Sequence, residues 1–281
     1  MAAVAVTDLR KAYGQTQALR GITFELAEGE VFCLLGPNGA GKTTTIEILE
    51  GYRARNGGDV SVLGFDPQQR DRALRERIGV VLQHSETWPQ ITVEETLSIY
   101  AGYYRRPRDV GEVIELVGLE AKRDARVKTL SGGQKRRLDL ALALVGDPDL
   151  VFLDEPTTGF DPQARRNAWE MVRGLRELGK TILLTTHYLD EAQQLADRVA
   201  VLRDGVIVSE GTPAELTGSS KTEIRYRVDG EVRVVATDEP TRVLHELTAR
   251  AVADGRELEE LEVRRSSLED VYLELLREHD A

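Results

Sequence analysis

Apolar and polar positions change period several times along the chain, and each change predicts an element. Residues 31–35 (Val-Phe-Cys-Leu-Leu) and 150–153 (Leu-Val-Phe-Leu) are apolar without alternation, and 181–185 is nearly so. Strands of that kind are covered on both faces, as in a parallel sheet. Residues 4–9 and 22–26 alternate in part and end in polar turns, which predicts antiparallel strands with one buried face. Residues 60–63 and 78–82 read as further strands, with Gly57-Gly58 as punctuation before them. From Thr92 the pattern becomes helical. Thr92-x-x-Glu95 is a capping box, and Val110, Val113, Ile114 and Val117 fall on one helical face, so a helical insertion is expected to about Thr129. A buried helix is expected over 138–145, and further helices over 162–178 and 189–196. Their alternation with buried strands predicts a parallel α/β core. Asp204-Gly205, between two short apolar runs, signals a closing hairpin.

The pattern then starts again on a smaller scale. Thr217-Gly218-Ser219-Ser220 reads as a linker. Beyond it come a strand to Val228, a turn at Asp229-Gly230, a strand over 231–236, a helix from about Thr241 and a strand near 258–263. A last helix would be capped by Ser266-x-x-Glu269. The expected organisation is a main domain over 1–216 with a helical subdomain at about 84–145, a linker at 217–220, and a small α+β domain over 221–281.

Charge and composition narrow the function. With 37 Lys and Arg against 48 Asp and Glu, the net charge of −11 opposes general binding of nucleic acid, whose phosphates it repels. The short clusters Lys135-Arg136-Arg137 and Arg105-Arg106 fit solvated helix faces. No apolar run is long enough to span a bilayer and no signal peptide opens the chain, so any membrane role is expected to run through a partner. Cys33 is the one cysteine, which excludes an internal disulfide. Inside an apolar strand it reads as a small core residue, and a reducing cytoplasm fits.

The candidate chemistry begins at Gly36-Pro37-Asn38-Gly39-Ala40-Gly41-Lys42-Thr43-Thr44, between a buried strand and a helical run. A glycine-rich turn in that context is a phosphate-binding loop. Its backbone N–H groups point at phosphate oxygens, and the helix behind adds the positive end of its dipole. Lys42 is placed to neutralise the β and γ phosphates, and the Thr43 hydroxyl to hold Mg²⁺. A second strand stops on Asp154-Glu155, where the ligand of an open α/β sheet lies. Asp154 would serve the metal, and Glu155 would polarise an attacking water as general base.

These residues, with Leu130-Ser131-Gly132-Gly133-Gln134 between them, resemble the ATP-binding cassette family over roughly residues 3–215. The resemblance implies a P-loop NTPase core with an antiparallel β-subdomain and a helical subdomain. It implies that Ser131, Gly132, Gly133 and Gln134 are the family signature, facing the γ-phosphate held by a second subunit. Gln83 matches the glutamine that binds Mg²⁺ or its water and links to the membrane partner, and His187 matches the switch histidine at the γ-phosphate. Tyr13 matches the aromatic that stacks on adenine, and Asp161 the aspartate that reaches across the dimer; Phe160 stands where the family more often has an aliphatic residue. Residues 267–275 look like the tail of ATPases that serve drug-resistance exporters. The implied function is an ATP-hydrolysing subunit with Mg²⁺. It would pair as a homodimer on a separate membrane permease, at the inner face of the cell membrane. A cassette ATPase of translation or DNA repair is the alternative, which the acidic charge and the lack of a second cassette or coiled-coil insertion disfavour. A non-catalytic nucleotide-binding regulator is disfavoured by the intact Lys42, Glu155 and His187.

Overall fold

The computed structural model describes residues 2–81, 88–217, 222–228 and 230–265. They form two compact units, 1–210 and 211–281.

The first unit contains two sheets. β1 (Ala2–Tyr13), β2 (Thr16–Ala27) and β4 (Gly57–Val62) form an antiparallel sheet in the order β2-β1-β4. The second has the order β5-β6-β7-β3-β8-β9, built from β3 (Val31–Leu35), β5 (Ile78–Val81), β6 (Leu150–Asp154), β7 (Thr181–Thr186), β8 (Arg198–Arg203) and β9 (Val206–Gly211). Its first five strands in that order run parallel. β3, β6 and β7 are buried at every position, as expected of largely apolar strands in a sheet covered on both faces. Asp204 and Gly205 both have positive φ, the geometry of the tight hairpin turn between β8 and β9.

β1 and β2 are longer than their alternation suggests. They pair from Ala2 with Ala27 to Tyr13 with Thr16. The polar residues beyond Leu9 stay in the ladder through backbone pairing, which hydrophobic pattern does not register. Gly57 and Gly58, expected as punctuation, lie inside β4. The two sheets share one core, in which Val4, Val6, Ile22 and Leu26 pack with Leu34, Ile46, Phe152 and Leu183. Phe24 stacks on Phe32 at 5.2 Å between ring centroids and joins β2 to β3.

α1 (Lys42–Leu49) follows β3, and the one-turn α2 (Arg72–Arg75) precedes β5. The helical insertion holds α3 (Val93–Ala101) and α4 (Val110–Leu116), and packs on α5 (Gly132–Leu144). Thr92 and Glu95 form the expected capping box, and Val113, Ile114 and Val117 are buried. α6 (Pro162–Glu177) and α7 (Leu189–Leu195) flank β7 in sequence. Among the described residues no helix is long and apolar enough to cross a membrane.

The second unit begins with the short α8 (Pro213–Leu216), which the sequence grouped with the main domain. β10 (Thr222–Val228), β11 (Glu231–Thr237) and β12 (Glu259–Arg265) form an antiparallel sheet with β10 in the centre. α9 (Pro240–Ala253) contacts β10, and Ile224, Tyr226 and Ala251 are buried. The linker residues 218–220, the turn residue Asp229 and the expected last helix with its Ser266-x-x-Glu269 cap lie outside the described residues.

Candidate nucleotide site

The loop between β3 and α1 is forced into a cradle by its surroundings. A Cβ on Gly36 would lie 2.2 Å from the Leu202 carbonyl oxygen. Gly41 has φ 109°, and a Cβ there would lie 2.7 Å from Leu19 Cδ2. The β8–β9 turn fastens the cradle from behind, since Gly205 N–H donates to Ala40 O at 3.1 Å. α1 starts with no side-chain cap and no acidic residue in its first turn. α3, α4, α5 and α6 are instead capped by their own Thr92, Asp109, Ser131 and Asp161. The unmatched N–H groups and positive dipole end of α1 are therefore left for an anion. In front lies a cleft of about 470 Å³ lined by Asn38, Gly39, Lys42, Thr43 and Thr44 on one side and Glu155, Thr158 and His187 on the other.

Lys42 is buried, and its Nζ donates to the carbonyls of Gly36 at 2.8 Å and Pro37 at 3.1 Å. It also pairs with Glu155 Oε1 at 3.1 Å. Glu155 Oε2 accepts from Thr158 Oγ1 at 3.1 Å and stands 3.4 Å from His187 Nδ1, without hydrogen-bond geometry. Burial pushes the Glu155 carboxyl upward, but hydrogen bonding and charge from Lys42, with help from Thr158 and His187, outweigh it and hold the group below its ordinary value. Glu155 is therefore an ionised carboxylate at neutral pH. Its φ is +46°, a left-handed conformation that costs free energy in a non-glycine residue and must be held by its surroundings.

Asp154 ends β6 in register with Thr185 of β7. Thr185 Oγ1 donates to Asp154 Oδ1 at 2.5 Å, and Thr43 Oγ1 lies 3.5 Å from the same oxygen. A carboxylate and a hydroxyl this close form a hard oxygen donor set that suits Mg²⁺, so Thr43 and Asp154 fit the metal expected of them. Thr185 is a site residue that the sequence reading does not single out. A hydroxyl residue at the carboxyl end of an otherwise apolar buried strand is the signal that could have found Thr185.

The remaining expected residues lie around this centre. Tyr13 ends β1 with its hydroxyl 3.5 Å from Thr44 Oγ1, and Lys11 Nζ and Arg53 Cζ each stand 5.1 Å from its ring centroid. Ser131 and Gln134 form a capping box at the start of α5: Gln134 N–H donates to Ser131 Oγ at 3.3 Å and Ser131 N–H to Gln134 Oε1 at 3.0 Å. Ser131, Gly132 and Gly133 are exposed and none lines the cleft of their own chain. Asp161 Oδ1 accepts from the N–H groups of Gln163 and Ala164 and so caps α6. Gln83 lies outside the described residues.

A glycine cradle on a bare helix start, with a buried lysine and an ionised glutamate facing one cleft and a metal-type carboxylate 3.5 Å from the Thr43 hydroxyl, defines a nucleoside triphosphatase of the P-loop class. Comparison with known proteins is more specific. Residues 19–158 match the ABC transporter family. Over 223 residues the chain is 46% identical to the Nod factor export ATP-binding protein I of Paraburkholderia xenovorans (strain LB400), covering 78% of this chain and 73% of that protein. It is 41% identical to the protein of the same name from Rhizobium sp. (strain N33), over 97% of this chain and 96% of that one. Among solved structures, a dimeric ATP-binding cassette in a post-hydrolysis state bound to ADP and Pi is similar with a TM-score of 0.66 and 26% identity, over 74% of this chain and 98% of that one. The chain belongs to the ABC transporter family, as an ATP-binding ATPase subunit.

Proposed function

We propose that the chain hydrolyses ATP with Mg²⁺ as the motor subunit of an exporter, bound to a permease at the cytoplasmic face of the cell membrane and acting as a homodimer. The carrying observation is the cluster of Lys42, Glu155 and His187 at the mouth of the phosphate cradle, with Thr43 and Asp154 beside it. Lys42 turns from Glu155 to the β and γ phosphates, and the released Glu155 carboxylate accepts a proton from the attacking water. Thr43 and Asp154, with Gln83, would hold Mg²⁺, which would supply charge neutralisation for the phosphates. His187 stands by Glu155 to contact the γ-phosphate. Tyr13 offers its ring to adenine. The export direction is supported by the names of the relatives.

The exposed Ser131-Gly132-Gly133 surface, outside its own chain's cleft, supports its use by the cleft of a second copy, with Gln134 fixing its geometry and Asp161 meeting the partner. The likeness to a dimeric cassette supports the same arrangement. The motifs support residues 1–216 as the ATPase domain, with the helical subdomain at about 84–145, and 221–281 as a small domain after the linker, while by packing 211–216 group with the second unit.

Glu155→Gln keeps the size of the side chain and removes the base, so the closed state forms and persists. By size exclusion with light scattering, purified Glu155→Gln runs as a monomer without nucleotide and as a dimer with ATP and Mg²⁺. Adding Ser131→Arg abolishes the dimer while ATP still binds. A double variant that dimerises on ATP refutes the role of the signature, and a Glu155→Gln protein with wild-type ATP turnover refutes the base.

A further inference from the structure

Thr185 touches both members of the Asp154-Glu155 pair. Its hydroxyl donates to Asp154 Oδ1 at 2.5 Å and accepts from the Glu155 backbone N–H at 3.0 Å. That same N–H also reaches the Thr185 carbonyl at 3.1 Å. The side chain is fully buried, at 0% exposure, and Thr185 stands in parallel register with Asp154 on the adjacent strand. A hydroxyl has one proton and two lone pairs, so giving the proton to the carboxylate leaves a lone pair for the N–H, and the two bonds use it in complementary directions. The first bond fixes which way the Asp154 carboxylate faces, and its oxygen is the one that lies 3.5 Å from Thr43 Oγ1. The second holds the first residue after the strand, where Glu155 turns into its left-handed conformation.

We infer that Thr185 is a positioning residue that aligns the metal-holding carboxylate of Asp154 and the base Glu155 through one hydroxyl. The inference rests on the proposed roles of Asp154 and Glu155. Thr185 is fully buried behind Asp154 and Glu155 and acts through them. Residues that orient a metal-binding carboxylate change metal affinity or activity by about ten- to a hundredfold when removed.

Thr185→Val keeps the shape of the buried side chain and deletes the hydroxyl. Mn²⁺ serves as the probe, titrated by electron paramagnetic resonance against protein saturated with a non-hydrolysable ATP analogue. The analogue's affinity is measured separately in EDTA. Thr185→Val is expected to weaken Mn²⁺ binding at least about tenfold while the affinity in EDTA stays within about twofold, and Thr185→Ser is expected to restore Mn²⁺ binding to within about threefold of wild type. General damage to the fold would lower both affinities. Should Thr185→Val fail to fold, Thr185→Ser against Thr185→Ala isolates the same hydroxyl, and equal Mn²⁺ affinity in that pair overturns the inference. Mn²⁺ binding in Thr185→Val within about threefold of wild type also overturns it. Asp154→Asn separates the two readings. If it binds Mn²⁺ like wild type, the metal role of Asp154 fails, whereas weak binding there with normal binding in Thr185→Val overturns the role of Thr185 alone.

Discussion

Without nucleotide, Lys42 and Glu155 neutralise each other, and ATP binding has to separate them. Their atoms are 3.1 Å apart, and the side chains are 3% and 11% exposed. At an effective dielectric of about 20, two unit charges at that distance attract by about 5 kcal/mol. Loss of hydration on both groups offsets much of this, leaving a net coupling of about 2 kcal/mol, as for other charge-assisted hydrogen bonds. A double-mutant cycle with Lys42→Met, Glu155→Gln and both together, read by urea unfolding of the nucleotide-free proteins at pH 7, measures it. Because the folded Glu155 carboxyl is held below its ordinary value, its contribution is present above the unfolded carboxylate range and is lost as pH falls through the depressed value. The same energy opposes nucleotide binding. Glu155→Gln leaves the buried Lys42 charge without its counter-ion in the nucleotide-free protein, so ATP should bind about tenfold tighter, equivalent to about 1.4 kcal/mol, when hydrolysis is blocked. A coupling under about 0.5 kcal/mol, or ATP binding no tighter in Glu155→Gln, refutes the reasoning.

Three further outcomes are expected. Tyr13→Ala should weaken ATP by about 1 to 3 kcal/mol in equilibrium binding, as for loss of a base stack, while Tyr13→Phe loses only the long 3.5 Å contact to Thr44 and should stay near wild type; equal losses for Ala and Phe contradict stacking. Burial, with repulsion from Asp154 and Glu47, pushes the Glu50 carboxyl up to about 8, and its Oε1 has no hydrogen-bond partner among the described residues. The folded state then holds a proton that the unfolded chain releases near its ordinary value, so stability falls as pH rises toward 8, by on the order of 3 kcal/mol. Glu50→Gln should flatten that slope in urea unfolding between pH 5 and 8, and an unchanged slope counts against the buried neutral acid. Truncation after Ser219 should leave a folded ATP-binding chain, because every nucleotide residue precedes it; an insoluble product would show that the second unit completes the first.

The sequence by itself determined the elements whose signal is local. An unbroken apolar run followed by a glycine-rich turn, Lys42 and Thr43 allows one reading, because the strand, the turn and the helix start are each dictated by neighbouring residues. The same holds for the capping box at Thr92, and for Asp154 at the end of a strand with nothing polar before it. The tertiary structure decided what depends on residues far apart in the chain. It extended β1 and β2 through polar positions that only ladder pairing holds, and it brought Lys42 against Glu155 although 112 positions separate them. It placed the Thr185 hydroxyl beside Asp154, which follows from the lateral order of β6 and β7 and their register. Periodicity reports whether a side chain faces the core, but not which strand lies alongside. Neighbours in a parallel sheet are fixed by crossover and packing, and those arise only when the whole core closes.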